Sequence, residues 1–229
     1  LTQWPILLER LLAGLRVLEG RGFVLGDWTL GGGTALMIAA EHRLSRDIDV
    51  FIDSPEYLTY LSPRLGGETV WNCAAYDESA NFLKLRFSEG EIDFIAAVAV
   101  SQLPAKRITL DLSREGGSPS TEILVEHPVE IALKKLFYRG SYLLIRDAFD
   151  ICVVDQIFPE TLRSHLHLVS HRKPAIEAAI RRFAPDFVRQ SLQELDILPD
   201  WEDLSRTTHE RIISIASCIP DASPEPSIT

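Results

Sequence analysis

The sequence predicts an α/β (α+β) chain: a sheet-bearing part over residues 1–126, a helical part over residues 127–218 and a tail over residues 219–229. Three observations carry that reading. Segments of strand length with period-two alternation recur between Trp28 and Val125, the apolar period turns helical from Pro128, and the glycines Gly31 to Gly33 stand between the first strand and the helix after it. With 229 residues, 46% of them hydrophobic, the chain has material for a full core.

The elements follow in order. Pro5 to Leu18 places Ile6, Leu7, Leu8, Leu11, Leu12, Leu15 and Leu18 at helical spacing, and Gly20 and Gly22 end that helix. "FVLGDWTLGGG" reads as a short strand through Trp28 and Leu30 into a glycine turn, and Thr34 opens the helix "TALMIAAEHR". The strand "DIDVFI", Asp47 to Ile52, puts Ile48, Val50 and Ile52 on one face and Asp47, Asp49 and Phe51 on the other.

Beyond the Ser54-Pro55 turn, "EYLTYLSPRL" reads as a short helix. "ETVWNCAAYD", "NFLKLRF" and "EIDFIAAVAV" read as strands, giving a sheet of at least four, with edge strands expected at Ile108 to Leu112 and Ile123 to Val125. Pro128 suits a first helical position with Glu130 in the first turn. Later helices are expected over Tyr142 to Ile157, Glu160 to Val169, Pro174 to Phe183, Asp186 to Leu195 and Thr208 to Ile215, and the Pro/Ser-rich tail is expected to be disordered.

Composition narrows the function classes. Three cysteines without a C-x-x-C pair argue against a disulfide framework or a zinc ribbon and fit a reducing compartment, so the cytoplasm is the expected location. No apolar run approaches the ~18 residues of a membrane span. The formal charge of −10 opposes nonspecific binding to a polyanion, so nucleic acid would need a local basic patch.

Two aspartates at i and i+2 on a strand point the same way, which brings Asp47 and Asp49 within reach of one divalent ion. Like charges that close cost free energy unless a cation or arginines compensate, and oxygen ligands without a His/Cys cluster favour magnesium or manganese. Gly32, Gly33 and the amino end of the Thr34 helix suit a phosphate through exposed N–H groups and the helix dipole. Asp93, in "EGEIDFIAA", completes a triad if its strand lies beside the first, with Glu91 on the same face as the fallback. No G-K-[ST] follows the glycines, and no full G-x-G-x-x-G is present.

"GGTAL", "HRLSRDIDVF", "IDFI" and "ALKKLFYRG…IRDAFDI" together resemble the AbiEii-type nucleotidyltransferases, toxin components of abortive-infection toxin–antitoxin systems in the polymerase-beta-like nucleotidyltransferase superfamily. The resemblance covers about Leu30 to Val154. It implies a mixed sheet with flanking helices, a helical C-terminal domain that completes the active site, and two-metal transfer of a nucleoside monophosphate from a nucleoside triphosphate to an acceptor hydroxyl. By that likeness Gly32, Gly33 and Thr34 hold the triphosphate, Asp47 and Asp49 the Mg2+ or Mn2+ ions, and Asp93 the second metal and the acceptor hydroxyl. Arg43 and Ser45 match the family's residues before the paired acids. Acceptors implied are RNA, with tRNA ends among them, or protein hydroxyls, and a cognate antitoxin protein is the implied partner.

In the helical part, Lys135 and Arg139 share a helix face and can point at phosphate, while Lys134 points elsewhere and is expected in solvent. Asp147 is read as positioning Lys135 or Arg139, Arg146 and Asp150 as an internal ion pair, and His165, His167 and His171 as surface or packing residues. Two other readings stay open at this point: a noncatalytic nucleotide- or partner-binding protein that keeps the fold, and a two-metal phosphodiesterase using the same carboxylates.

Overall fold

The computed structural model describes residues 3–65 and 68–222, so the last seven residues of the expected tail lie outside the described residues. The chain divides into two compact units. The first comprises Leu1–Ala39, Leu44–Val98 and Pro104–His127, and the second Ala40–Arg43, Ala99–Leu103 and Pro128–Thr229. Among the described residues no helix is long and apolar enough to cross a membrane.

In the first unit the chain runs α1 (Trp4–Gly20), β1 (Trp28–Gly31), α2 (Gly32–Ala40), β2 (Ile48–Ile52), α3 (Glu56–Leu61) and α4 (Glu68–Trp71). It continues through β3 (Ala75–Glu78), β4 (Phe82–Phe87), β5 (Gly90–Ala96), β6 (Lys106–Leu110) and β7 (Thr121–Val125). The seven strands form one mixed sheet in the order β3-β4-β5-β2-β1-β7-β6. β2 pairs with β5 and β1 with β7 in parallel, and the other neighbours are antiparallel.

Alternation sorts the two faces. Ile48, Val50, Leu83, Leu85, Ile92 and Phe94 are wholly buried, and α1 packs on β2 and β5 with its own buried Leu7, Leu8 and Leu11. Burying such a side chain contributes about 1.5–3 kcal/mol, which holds the sheet to this register, because a one-residue slip would turn the acidic face inward.

Several expectations needed correction. "ETVW" forms the short helix α4 rather than a strand, because Trp71 turns inward, donates Nε1–H to the Leu61 carbonyl at 2.7 Å and packs 5.5 Å from the Phe94 ring. β7 is an interior strand, paired in parallel with β1, so only β6 stands at that edge. The second helix opens at Gly32, two residues before Thr34, so the glycines lie within its first turn.

The second unit holds α5 (Pro128–Arg139), α6 (Ile145–Ile157), α7 (Pro159–His165), α8 (Lys173–Ile180), α9 (Pro185–Gln193) and α10 (Glu202–Ser217). Pro128 and Glu130 begin α5 as their residue types favour, and the Glu130 carboxylate accepts the Val100 and Ser101 N–H groups at 2.7 and 2.8 Å. α6 is buried along most of its length and packs on α5 and α10. The segment Ala40–Arg43 belongs here: the Ala40 carbonyl accepts Trp201 Nε1–H at 3.2 Å, and the His42 carbonyl accepts Leu198 N–H at 3.0 Å.

Candidate active site

The acidic face of the sheet is assembled by register. Asp49 on β2 stands directly beside Asp93 on the parallel strand β5, so two carboxylates share one face on neighbouring strands. Asp47 lies one residue ahead of β2, and its Oδ1 accepts the Glu91 N–H at 3.0 Å, which ties it to the start of β5.

Gly32 explains the glycine cluster. Its φ is +64°, a conformation L side chains rarely adopt, and a Cβ there would overlap the Asp49 carboxylate. Across the strand pair Gly31 faces Asp49, and a Cβ on Gly31 would run into the Phe51 ring and the Glu126 carboxylate. The glycines therefore let the first turn of α2 close over the aspartate, with the amino end of the helix next to a negative charge that its dipole stabilises.

Thr34 is wholly buried; its hydroxyl donates to the Asp47 carbonyl and lies 2.9 Å from the Ser45 hydroxyl. Both Thr34 and Ser45 thus tie the helix start to the segment leading into β2, and Ser45 N–H also donates to the Met37 sulfur at 3.2 Å.

Burial pushes the Asp93 carboxyl up to about 6; the hydrogen bond from Lys84 works against that rise and the Asp49 charge adds to it. Lys84 Nζ is 2.8 Å from Asp93 Oδ2 and also bonded to Glu91, and the Lys84 ammonium is raised because those acidic partners outweigh its own desolvation. The two shifts point in opposite senses for the ion pair, since Lys84 favours its charged form and Asp93 its neutral one. Asp93 has the Asp49 charge beside it, while Lys84 divides its own charge between Asp93 and Glu91. Asp93 Oδ1 is buried and makes no hydrogen bond.

The sequence alone does not single out Lys84. Alternation in "NFLKLRF" places Lys84 and Arg86 opposite the buried Leu83 and Leu85, but only the β4–β5 register shows that Lys84 faces Asp93.

The helical unit carries its own ionic cluster. Arg43 is 7% exposed and grips Asp150 with two bonds, Nε to Oδ1 at 2.8 Å and Nη2 to Oδ2 at 2.9 Å. His42 Nε2 lies 2.9 Å from Asp150 Oδ1, and Lys135 Nζ lies 3.1 Å from Oδ2. Lys135 also reaches Asp147 at 2.6 Å, and Arg139 Nη1 reaches the same carboxylate at 3.2 Å. Asp150 is held well below the usual carboxylate range, and Asp147 is lowered, because the charges of Lys135 with Arg43, or with Arg139, outweigh the burial that would raise them.

Asp150 therefore pairs with Arg43, His42 and Lys135, whereas Arg146 is exposed. Lys134 is 6% exposed and so is not the solvated residue of that helix. His165 and His167 bond to backbone carbonyls at 2.8 Å, and the His171 ring packs 5.1 Å from Phe137. Among the described residues no group of three or more His, Cys, Asp or Glu side chains is arranged to hold a metal ion, consistent with Asp47 being turned to the Glu91 N–H and Asp93 to Lys84.

Comparison with known proteins fixes the class. The fold is similar to that of MenT4, a nucleotidyltransferase toxin from Mycobacterium tuberculosis H37Rv, with a TM-score of 0.50 at 16% identity, over 93% of this chain and 87% of that one. The chain thus has a mixed α/β nucleotidyltransferase-like core of the polymerase-beta type followed by a helical region. Residues 16–214 match the family described as nucleotidyl transferase AbiEii toxin of type IV toxin–antitoxin systems, and the chain belongs to that family. No curated protein matches it.

Proposed function

We propose that this protein transfers a nucleoside monophosphate from a nucleoside triphosphate to an acceptor hydroxyl, on RNA, with tRNA ends included, or on protein, as the toxin of a pair whose antitoxin is a separate protein. The observation that carries the proposal is the Asp49–Asp93 pair in register beside a positive-φ glycine at a helix start.

The donors fit a hard divalent cation. They are carboxylate oxygens on one sheet face, and one of them, Asp93 Oδ1, is buried without a hydrogen bond. Asp49 and Asp93, with Asp47 alongside, would hold Mg2+ or Mn2+. When bound, such an ion offsets the charge that develops on the phosphate during displacement.

The chain's own residues account for the rest. Backbone N–H groups in the first turn of α2, at Gly32, Gly33 and Thr34, suit the triphosphate, and Gly32 lets that backbone come close. The acceptor oxygen bonds to the α-phosphorus as the bond to the β-phosphate bridging oxygen breaks, and its proton passes to the Asp93 carboxylate. Pyrophosphate leaves.

Thr34 and Ser45 keep Asp47 in place. Lys135, Arg139 and Arg43 are engaged by Asp147 and Asp150, so the role assigned to them is to hold α5 and the Ala40–Arg43 segment on α6; contact of Lys135 or Arg139 with phosphate would require release from a carboxylate.

The test is incubation with each α-32P-labelled triphosphate and cell extract, followed by separation of RNA from protein. Label in either fraction with Mg2+ or Mn2+, lost in Asp49→Asn, supports the proposal. Release of monophosphate without a labelled acceptor would instead favour a phosphodiesterase.

A further inference from the structure

Lys84 completes a line of alternating charge. On β4, Lys84 faces Asp93 and Arg86 faces Glu91 across the antiparallel pair to β5. Arg86 bonds both Asp77 and Glu91, Glu91 bonds Lys84, and Lys84 bonds Asp93 through Oδ2, so the line Asp77–Arg86–Glu91–Lys84–Asp93 crosses three strands and ends beside Asp49. Lys84 thus has two partners of one kind. Glu91 is anchored from its far side by Arg86 at 3.1 Å, which gives Lys84 a hold that does not depend on Asp93.

Two consequences follow from the charges. Lys84 engages one oxygen of Asp93 and leaves Oδ1 for another partner. Its ammonium also stands where it repels any cation drawn to the Asp49–Asp93 pair, and at an effective dielectric of about 20 a full charge a few ångströms away changes cation affinity by at least about tenfold. A triphosphate, with its own negative charge, would offset that repulsion.

We propose that Lys84 is the positioning residue for Asp93 and the resident counter-charge of the acidic pair, so that a divalent cation binds tightly only together with a nucleoside triphosphate. This rests on the reading of Asp49 and Asp93 as a cation site. Lys84 does not touch the reacting atoms; it acts through Asp93, and it couples the two ligands.

The test is Mn2+ binding by the full chain, followed by the electron paramagnetic resonance of the unbound ion, with and without a non-transferable α,β-methylene triphosphate. Wild type is expected to bind Mn2+ at least about tenfold tighter with the analogue. Lys84→Met is expected to bind Mn2+ about tenfold tighter than wild type in its absence, with most of the coupling lost, while Lys84→Arg keeps the wild-type pattern. Lys84→Gln carries the same expectation should Lys84→Met not fold. A folded neutral variant with unchanged or weaker Mn2+ binding, where Asp49→Asn abolishes it, overturns the assignment of Lys84 alone. Absence of Mn2+ binding by wild type, with or without the analogue, overturns the cation site and the assignment with it.

Discussion

Among the described residues, a cluster of acids and cations in the helical unit and one on the sheet are balanced in opposite ways. In the helical unit Asp147 and Asp150 are surrounded by Arg43, Lys135 and Arg139, and both carboxyls are held below their usual range. On the sheet, Asp93 has Lys84 but also Asp49, Glu91 and burial, and its carboxyl is raised. In the first cluster each carboxylate is matched by cations of the same unit. The second sets Asp93 beside the like charge of Asp49 in a buried place, an arrangement that a bound cation would relieve.

That contrast can be broken by substitution. The largest expected effect is catalytic: Asp49→Asn should lower label transfer by about a thousandfold or more while the circular dichroism spectrum is retained. Next comes stability. Asp150→Ala leaves Arg43 and Lys135 without their shared buried partner and should cost about 3–5 kcal/mol in denaturant unfolding, whereas Asp93→Asn, which removes a carboxylate that folding holds in its less favoured charged form, should raise stability by about 2–3 kcal/mol at pH 7 in metal-free buffer.

Acid titration sharpens the same difference. Asp93, raised in the folded state, binds its proton more tightly there than in the unfolded chain. Its contribution therefore falls as pH rises from about 4 to about 6, by about 2–3 kcal/mol in metal-free buffer, and Asp93→Asn should remove that slope. Asp150 runs the other way: its stabilisation is present above the unfolded carboxylate range and is lost as pH falls below it. Urea unfolding of wild type, Asp93→Asn and Asp150→Asn across pH 3–8 would separate the two.

The smallest effects concern the helix start. Gly32→Ala should cost about 1–3 kcal/mol, from the positive φ and the crowding against Asp49, and should slow transfer more than it lowers stability. Thr34→Val should cost about 1 kcal/mol through the lost hydrogen bond to the Asp47 carbonyl. Thermal melts and label-transfer rates measure both.

Much of this was legible in the residues. The buried Ile48, Val50 and Ile52 against Asp49 follow from period-two alternation, and the change to helices at Pro128 follows from the apolar period. Long-range pairing was not legible. Nothing local says that Lys84 lies opposite Asp93, that β7 enters the sheet interior beside β1, or that Asp150 meets Arg43 rather than Arg146 four residues away. Local pattern also misled where burial is two-sided: Lys134 is enclosed in a helix buried around much of its girth, and the β-branched look of "ETVW" hid a helical turn that lets Trp71 pack inward. At Thr34 the hydroxyl's bond to the Asp47 carbonyl, thirteen residues on, was likewise not legible in the sequence.

The most direct measurement is anomalous diffraction from a crystal of this protein soaked in Mn2+ and a non-transferable triphosphate. The account predicts a manganese peak bridging Asp49 and Asp93 next to Gly32 and no peak at Asp147 or Asp150. A peak at the Asp147–Asp150 cluster, or none at Asp49 and Asp93 with the nucleotide bound, would contradict it.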